Sequence, residues 1–219
     1  MRPPRPRAAR ARAARSEPGD QGDRRQGAPG ADRRRDDGLQ VGIDQADGDI
    51  DKAIELLRVK GQASAAKRSG RSTSEGIVAS YVHATGRIGS LVEIQCETDF
   101  VARNDDFKAF AAEIALHIAA AAPRYVAADD VPADEEAAER AVFEQKAAEE
   151  GKPEDVRERI VEGQLAKWRK EVALLDQPHV NADKHEGKTI EQLRAEASAK
   201  TGENIRIARF ARFEVGAED

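Results

Sequence analysis

The stretch C-E-T-D-F-V-A-R-N-D-D-F-K-A-F, residues 96–110, decides the fold because it joins two kinds of secondary structure. Before it, R-I-G-S-L-V-E-I-Q-C-E alternates apolar and polar residues, which is typical of a half-buried strand. From about residue 107 to 122, apolar residues recur at the spacing of an amphipathic helix. The sequence therefore places residues 98–101 at a corner between a strand and a helix.

Two interpretations of this corner are open from the residues alone. In the first, Thr98 and Asp99 cap a turn while the ring of Phe100 packs into the core. In the second, Phe100 is an exposed aromatic anchor beside a carboxylate, which is the pairing expected of a hot spot in a protein interface.

Outward from the corner, the pattern predicts a small sheet and several helices. Alternating residues 77–84 and 87–97 flank Thr85-Gly86, which is typical of a β-hairpin. The run N-I-R-I-A-R-F-A-R-F-E-V near the C-terminus alternates too, with a step in phase that predicts a β-bulge. The prediction is an α+β fold, a small antiparallel three-stranded sheet packed with helices. The helices are expected near residues 107–122, 134–151, 153–175 and 189–202.

A short amphipathic helix is predicted ahead of the hairpin, within D-G-D-I-D-K-A-I-E-L-L-R-V-K-G. Asp49 is its expected N-cap, Gly61 its expected end, and Ile50, Ile54 and Leu57 share one apolar face. A helix of about a dozen residues cannot shield its own apolar face, and the sequence shows no evident partner helix for it.

The charge of the chain is divided unevenly. The 219 residues carry a formal net charge of −5, yet residues 1–38 hold eleven arginines, no lysine and six acidic residues, leaving 25 basic and 35 acidic residues for the remainder. Residues 1–38 also lack Val, Ile, Leu, Phe, Tyr and Trp, so they are predicted to be disordered. A basic arm of this kind could neutralise phosphates, which makes nucleic-acid binding the alternative function.

The composition argues against a membrane protein and against an enzyme. No stretch approaches the roughly 18 consecutive apolar residues of a membrane-spanning helix, and the start lacks the apolar run of a secretory signal. The single cysteine, Cys96, excludes an internal disulfide, so we expect a soluble cytoplasmic protein. No phosphate-binding loop or hydrolase motif is present, and the four histidines are scattered. We therefore predict no enzyme activity, no cofactor and no metal site.

The motifs C-E-T-D-F-V-A-R-N, L-H-I-A, P-R-Y-V, E-G-K-P, I-V-E-G, L-L-D-Q-P and T-G-E-N-I-R-I-A-R-F-A-R-F-E-V-G occur in that order. From about Asp47 to Gly216, the sequence resembles the short form of bacterial elongation factor Ts. The resemblance implies a helical N-terminal module of ubiquitin-associated type followed by an α+β core. Residues 44–70 would be an incomplete remnant of that module, and residues 71–216 the core, with a helical excursion over 134–175.

The resemblance also implies a function. Members of this family bind GDP-bound elongation factor Tu and accelerate nucleotide release, and their T-D-F-V turn is associated with disturbing the partner's Mg²⁺ site. Here those residues are Thr98, Asp99, Phe100 and Val101. Further contacts are implied for Ile88, Gly89 and His117, and for His117 a structural histidine at the rim of the core is the open alternative. A weak homodimer through the sheet stays open, and no membrane or direct nucleic-acid partner is expected.

The N-terminus departs from the family, whose members carry T-G-A-G-M-M-D-C-K-x-A-L before the G-D-I helix. Codons available to residues 32–43, read one nucleotide forward, can encode T-G-A-G-M-M-D-C-K-S-A-L. We therefore interpret residues 1–43 as an out-of-frame segment, which would weaken binding to the partner.

Sequencing the nucleotides across the Ile43-Asp44 junction tests this hypothesis. We expect an alternative frame that encodes T-G-A-G-M-M-D-C-K immediately upstream of the junction. If no frame encodes this motif, the hypothesis is wrong.

Overall fold

A computed structural model describes residues 49–151 and 153–217. The predictions for residues 1–43, and for the first residues of the 44–70 remnant, lie outside the described residues, as do the side chains of Ile50, Ile54 and Leu57. The helices are α1 (Ile50–Arg68), α2 (Asp99–Ala102), α3 (Asp105–Ala121), α4 (Ala133–Glu149), α5 (Glu154–Val172), α6 (Ala182–His185) and α7 (Ile190–Thr201). The strands are β1 (Glu75–Val82), β2 (Ile88–Cys96) and β3 (Arg206–Glu214).

The three strands form one antiparallel sheet in the order β1-β2-β3, so the predicted α+β class is confirmed. The hairpin turn contains Gly86 at φ +67°, a conformation that glycine adopts without strain. Between β2 and β3 the register shifts, because Glu93 pairs with Arg209 and Ile94 pairs with Ile207. Ala208 is the extra residue, and the predicted bulge is confirmed.

One face of the sheet is covered by α3, which carries the centre of the core. Phe107, Ala111, Ile114 and Ile118 are almost fully buried along this helix, at the i, i+4, i+7 and i+11 positions of one face. They pack with the inward residues of β2, chiefly Val92, Ile94 and Cys96, and with Ile190, Leu193, Ile205 and Ile207. The corner between β2 and α3 is therefore supported from below by the main hydrophobic core.

Helices α4 and α5 form a hairpin with a small core of its own. Ala147, Val161 and Leu165 are buried there, and Phe143 and Trp168 pack against them. Two ion pairs, Arg140–Glu162 and Arg169–Glu136, join the helices along the surface.

The predicted end of the first helix at Gly61 is wrong, because α1 continues to Arg68. Its partner is α7 from the far end of the chain. Ala65 is buried, and the Arg68 guanidinium donates to the carbonyl and hydroxyl of Ser198. A Cβ atom at Gly61 would lie 4.0 Å from the Cβ of Ala199, an ordinary van der Waals distance. Since the described N-terminal region is this single helix, the ubiquitin-associated-like module stays a prediction.

Substituting Gly61→Ala should raise the free energy of unfolding by about 0.5–1 kcal/mol, because alanine favours the helix and its methyl group fits against α7. Gly163→Ala is the matched control, since Gly163 lies within α5 and a Cβ there meets nothing within 4 Å. Urea unfolding checks both variants. If Gly163→Ala raises the free energy of unfolding while Gly61→Ala lowers it, α1 and α7 pack too closely to accept the added methyl group.

Candidate functional site

The corner after β2 presents Phe100 to solvent on a short helix that is anchored in the core. The ring of Phe100 is 79% exposed, whereas Val101 and Ala102, the next two residues of α2, are 6% and 7% exposed. Of the two interpretations of this corner, the one that packs the ring of Phe100 into the core is therefore wrong, and the ring is exposed as the other requires. Burying Val101 and Ala102 fixes which face of α2 is inward and leaves Phe100 on the outer face.

Thr98 has a structural role in this corner. It is the N-cap of α2, and its hydroxyl oxygen accepts a hydrogen bond from the N–H of Val101 at 3.4 Å. The same hydroxyl donates its proton to Oε1 of Glu203 at 2.6 Å. The prediction that Thr98 caps a turn is confirmed, and its hydroxyl is already engaged within the protein.

The carboxylate of Glu203 holds the corner from the turn that follows α7. Its Oε2 accepts hydrogen bonds from the backbone N–H groups of Glu97 and Thr98, at 2.9 and 3.1 Å, while its Oε1 accepts from the Thr98 hydroxyl. Three donors at two successive residues thus converge on one carboxylate. Hydrogen bonds to an ionised acceptor are stronger than bonds between neutral groups.

A second glutamate makes the reciprocal contact. Oε1 of Glu97 accepts from the backbone N–H of Asn204 at 2.6 Å and lies 3.4 Å from the Arg71 guanidinium. The side-chain amide of Asn204 donates to the carbonyl oxygens of Ser69 and Arg71, just after α1. The corner, the turn after α7 and the segment after α1 are therefore joined by polar contacts. We refer to the pair formed by Glu97 and Glu203, with the groups they bind, as the carboxylate clamp.

Asp99 lies beside Phe100 and is free to meet a partner. Its carboxylate forms an i,i+4 ion pair with Arg103 at 3.0 Å, with most of both side chains in solvent. Such an exposed pair contributes little to stability, about 0–1 kcal/mol, so Asp99 can exchange it for another contact at small cost.

The structure does not bring Ile88 and Gly89 next to Phe100. Both residues are half-buried at the start of β2, whereas the corner follows its end. Eight residue steps of a strand separate the two ends by about 26 Å. A single large partner could contact both places, but a small ligand could not.

The predicted partner contact through His117 does not fit the structure. His117 is completely buried, its Nε2 lies 2.8 Å from Oε1 of Gln177, and its Nδ1 accepts from the N–H of Val180 at 3.1 Å. Since a backbone N–H can only donate, Nδ1 is unprotonated and the ring is neutral, with its proton directed at Gln177. Burial lowers the pKa of His117 to about 4. The histidine joins α3 to the segment 177–180 and offers no surface to a partner.

Within the described residues, Glu113, His179 and His185 form a cluster whose ligand atoms lie within 4.8 Å of one another. Sequence reasoning missed it because Glu113 lies 66 positions before His179 in the chain. The N–H of Asn181 donates to Nδ1 of His179, which leaves the ring proton on Nε2, facing the Glu113 carbonyl. The Lys184 ammonium also pairs with the Glu113 carboxylate. A bound cation would have to displace these contacts, so the cluster is better explained as a structural network.

Cys96 is the single cysteine of the sequence. It is fully buried in β2, its Sγ lies 3.2 Å from the carbonyl oxygen of Thr98, and burial, followed by the nearby Glu203 charge, raises the pKa of the thiol to about 11. Only a very small fraction is thiolate near neutral pH, so Cys96 acts as a small core residue.

None of the helices in the described ranges is long and apolar enough to cross a membrane. The basic arm of residues 1–38, on which the nucleic-acid alternative depends, lies outside the described residues.

An exposed aromatic side chain beside a carboxylate, held on a rigid support, has the geometry of a protein-binding surface. Comparisons with known proteins identify the family of the chain. The family model "Elongation factor TS" matches residues 50–217. The chain is 53% identical over 174 residues to elongation factor Ts of Carboxydothermus hydrogenoformans, covering 80% of this chain and 79% of that protein. It is 48% identical to elongation factor Ts of Geobacter sulfurreducens, covering 80% and 79% of the two chains.

The chain therefore belongs to the elongation factor Ts family and is a translation elongation factor.

The imidazole of His117 should stay neutral on acidification until about pH 4, because burial disfavours its charged form. Between pH 6.5 and 4 this imidazole binds a proton in the unfolded chain but not in the folded protein. The free energy of unfolding therefore falls as the pH falls. NMR titration of the ring, assigned with His117→Gln, checks this. A midpoint near 6.5 would show that the ring is solvated.

Proposed function

We propose that this chain is a guanine-nucleotide exchange factor that binds GDP-bound elongation factor Tu and accelerates GDP release. The observation that carries the proposal is the exposed ring of Phe100 on a short helix held by the core and by the carboxylate clamp. Family membership supports the identity of the partner.

In this mechanism Phe100 acts as a wedge beside the partner's nucleotide site. Mg²⁺ requires near-ideal octahedral geometry at about 2.0–2.1 Å and bridges the phosphates to protein ligands. A small displacement of the elements that support the ion therefore weakens nucleotide binding strongly. The ring of Phe100 enters the partner, and Asp99 forms polar contacts that fix its orientation without touching the metal.

Thr98 and Val101, the other two residues of the T-D-F-V turn, contribute by holding α2 in place rather than by contacting the partner. Thr98 caps α2 and Val101 anchors it in the core, so that both determine where the ring of Phe100 stands. Of the four residues of this turn, only Asp99 and Phe100 meet the partner directly. Ile88 and Gly89 form a second contact at the opposite end of β2.

Exchange of this kind needs no active site in the factor. If the factor lowers the affinity of the partner for GDP by a given ratio, bound GDP lowers the affinity of the partner for the factor by the same ratio. No covalent bond is made or broken, so the factor acts by binding alone, without a cofactor or metal of its own. A weak homodimer through the sheet, whose outer face exposes Val78, Leu91 and Phe213, stays a prediction.

Phe100→Ala should reduce the catalytic efficiency of GDP release from elongation factor Tu by about 30-fold or more, the effect of losing a hot-spot anchor worth about 2 kcal/mol. Stopped-flow release of fluorescent mant-GDP measures it. The variant should keep the stability of the parent, because a ring 79% in solvent contributes little to the core.

Val142→Ala is the matched control, since Val142 is an exposed apolar residue on α4 and should leave exchange unchanged. Equal losses for the two variants would contradict a specific role for the corner. Full activity of Phe100→Ala would refute the proposal.

A further inference from the structure

We infer that Glu203 is the positioning residue for Phe100, and that removing its carboxylate disables the corner without unfolding the protein. This inference rests on the exchange activity proposed above. It assigns a role in that activity to a residue that lies 105 positions away from Thr98 in the chain and outside the T-D-F-V motif.

The first argument is that the backbone of Glu203 is itself held in place. The preceding Gly202 ends α7 with φ +77°, a conformation that favours glycine. The carbonyl of Glu203 accepts from the hydroxyl of Ser198 at 2.5 Å, and its N–H donates to the hydroxyl of Thr201 at 3.4 Å. The carboxylate therefore extends toward the corner from a fixed point just after the end of a regular helix.

The second argument concerns the direction of the Thr98 hydroxyl. A hydroxyl has one proton, and the proton of Thr98 points to Oε1 of Glu203. Its lone pairs are then available to the N–H of Val101 in the first turn of α2. Without the carboxylate the hydroxyl is free to rotate, and the backbone N–H groups of Glu97 and Thr98 lose their acceptor.

The third argument is that α2 has few other constraints. A helix of four residues has no stability of its own in water, and its two exposed residues are those that face the partner. Because the ring of Phe100 is almost entirely in solvent, its position depends on the backbone of α2 rather than on contacts of the ring. Val101 and Ala102 tie α2 to the core from below, and Glu203 fixes the backbone that leads into it.

The fourth argument is that the protein should fold without this carboxylate. Glu97 still binds the N–H of Asn204, β3 still pairs with β2, and Ile205 and Ile207 stay in the core. The expected defect is therefore local, at the corner.

The test compares Glu203→Ala with the isosteric Glu203→Gln. Glu196→Ala is the matched control, since Glu196 is an exposed carboxylate on α7 that pairs with Lys188 instead of the corner. Hydrogen exchange by NMR follows the amides of Glu97, Thr98 and Val101, and mant-GDP release from elongation factor Tu follows activity. Thermal unfolding of each variant confirms that the chain is folded.

We expect Glu203→Ala to exchange these three amides about tenfold faster or more and to lose about tenfold or more of its exchange efficiency. Glu203→Gln, which keeps one acceptor oxygen, should be intermediate, and Glu196→Ala should match the parent in both measurements. If Glu203→Ala does not fold, the same comparison is made with Glu203→Gln alone.

Amide exchange tests the positioning role of Glu203, and GDP release tests the proposed function. Unchanged amide protection in Glu203→Ala or Glu203→Gln overturns the positioning role, whatever the activity. Faster amide exchange with full GDP-release activity also overturns it. If Phe100→Ala is fully active while the amides of Glu203→Ala exchange faster, the proposed function fails and the clamp is purely structural.

Discussion

The functional corner depends on two glutamates that hold each other's turns. Each glutamate accepts hydrogen bonds from the backbone of the turn in which the other one lies. Glu203 accepts from the backbone at 97–98, and Glu97 accepts from the backbone N–H of Asn204. A strand end and a helix end that are distant in sequence are thereby locked together. Because the groups held are backbone N–H groups, the clamp fixes the path of the chain at the corner.

This arrangement separates support from presentation. Buried residues such as Val101 stabilise the corner, whereas the side chains of Asp99 and Phe100 stay in solvent and are available for binding. A backbone that is already fixed loses little freedom on binding, so more of the contact energy of the side chain that it carries appears as affinity. The same logic fits a clamp that is built from hydrogen bonds to carboxylate oxygens.

Periodic patterns predicted the regular elements well. Alternation predicted the hairpin and β3, and the phase step between Ile207 and Phe210 predicted the bulge at Ala208. The partnership of α1 with α7 was missed because small residues of α1, such as the buried Ala65, give a weak apolar pattern. The short helix α2 was also missed, since four residues are fewer than the period that such patterns need.

The site was predicted less completely, for physical reasons. A motif can identify Phe100, but its exposure follows from which neighbours are buried. His117 contacts Gln177, 60 residues away, and the role of Glu203 depends on polar groups more than 100 residues away. Hydrogen bonds between distant polar residues have no period in the sequence, so only the folded chain reveals them.

A double-mutant cycle on Phe100→Ala and Glu203→Ala tests the central claim most directly, with the efficiency of GDP release from elongation factor Tu as the readout. If Glu203 acts through Phe100, the double variant should be no slower than Phe100→Ala alone, because a wedge that is absent needs no positioning. If the two losses instead multiply, Glu203 acts independently of the wedge and the account is contradicted.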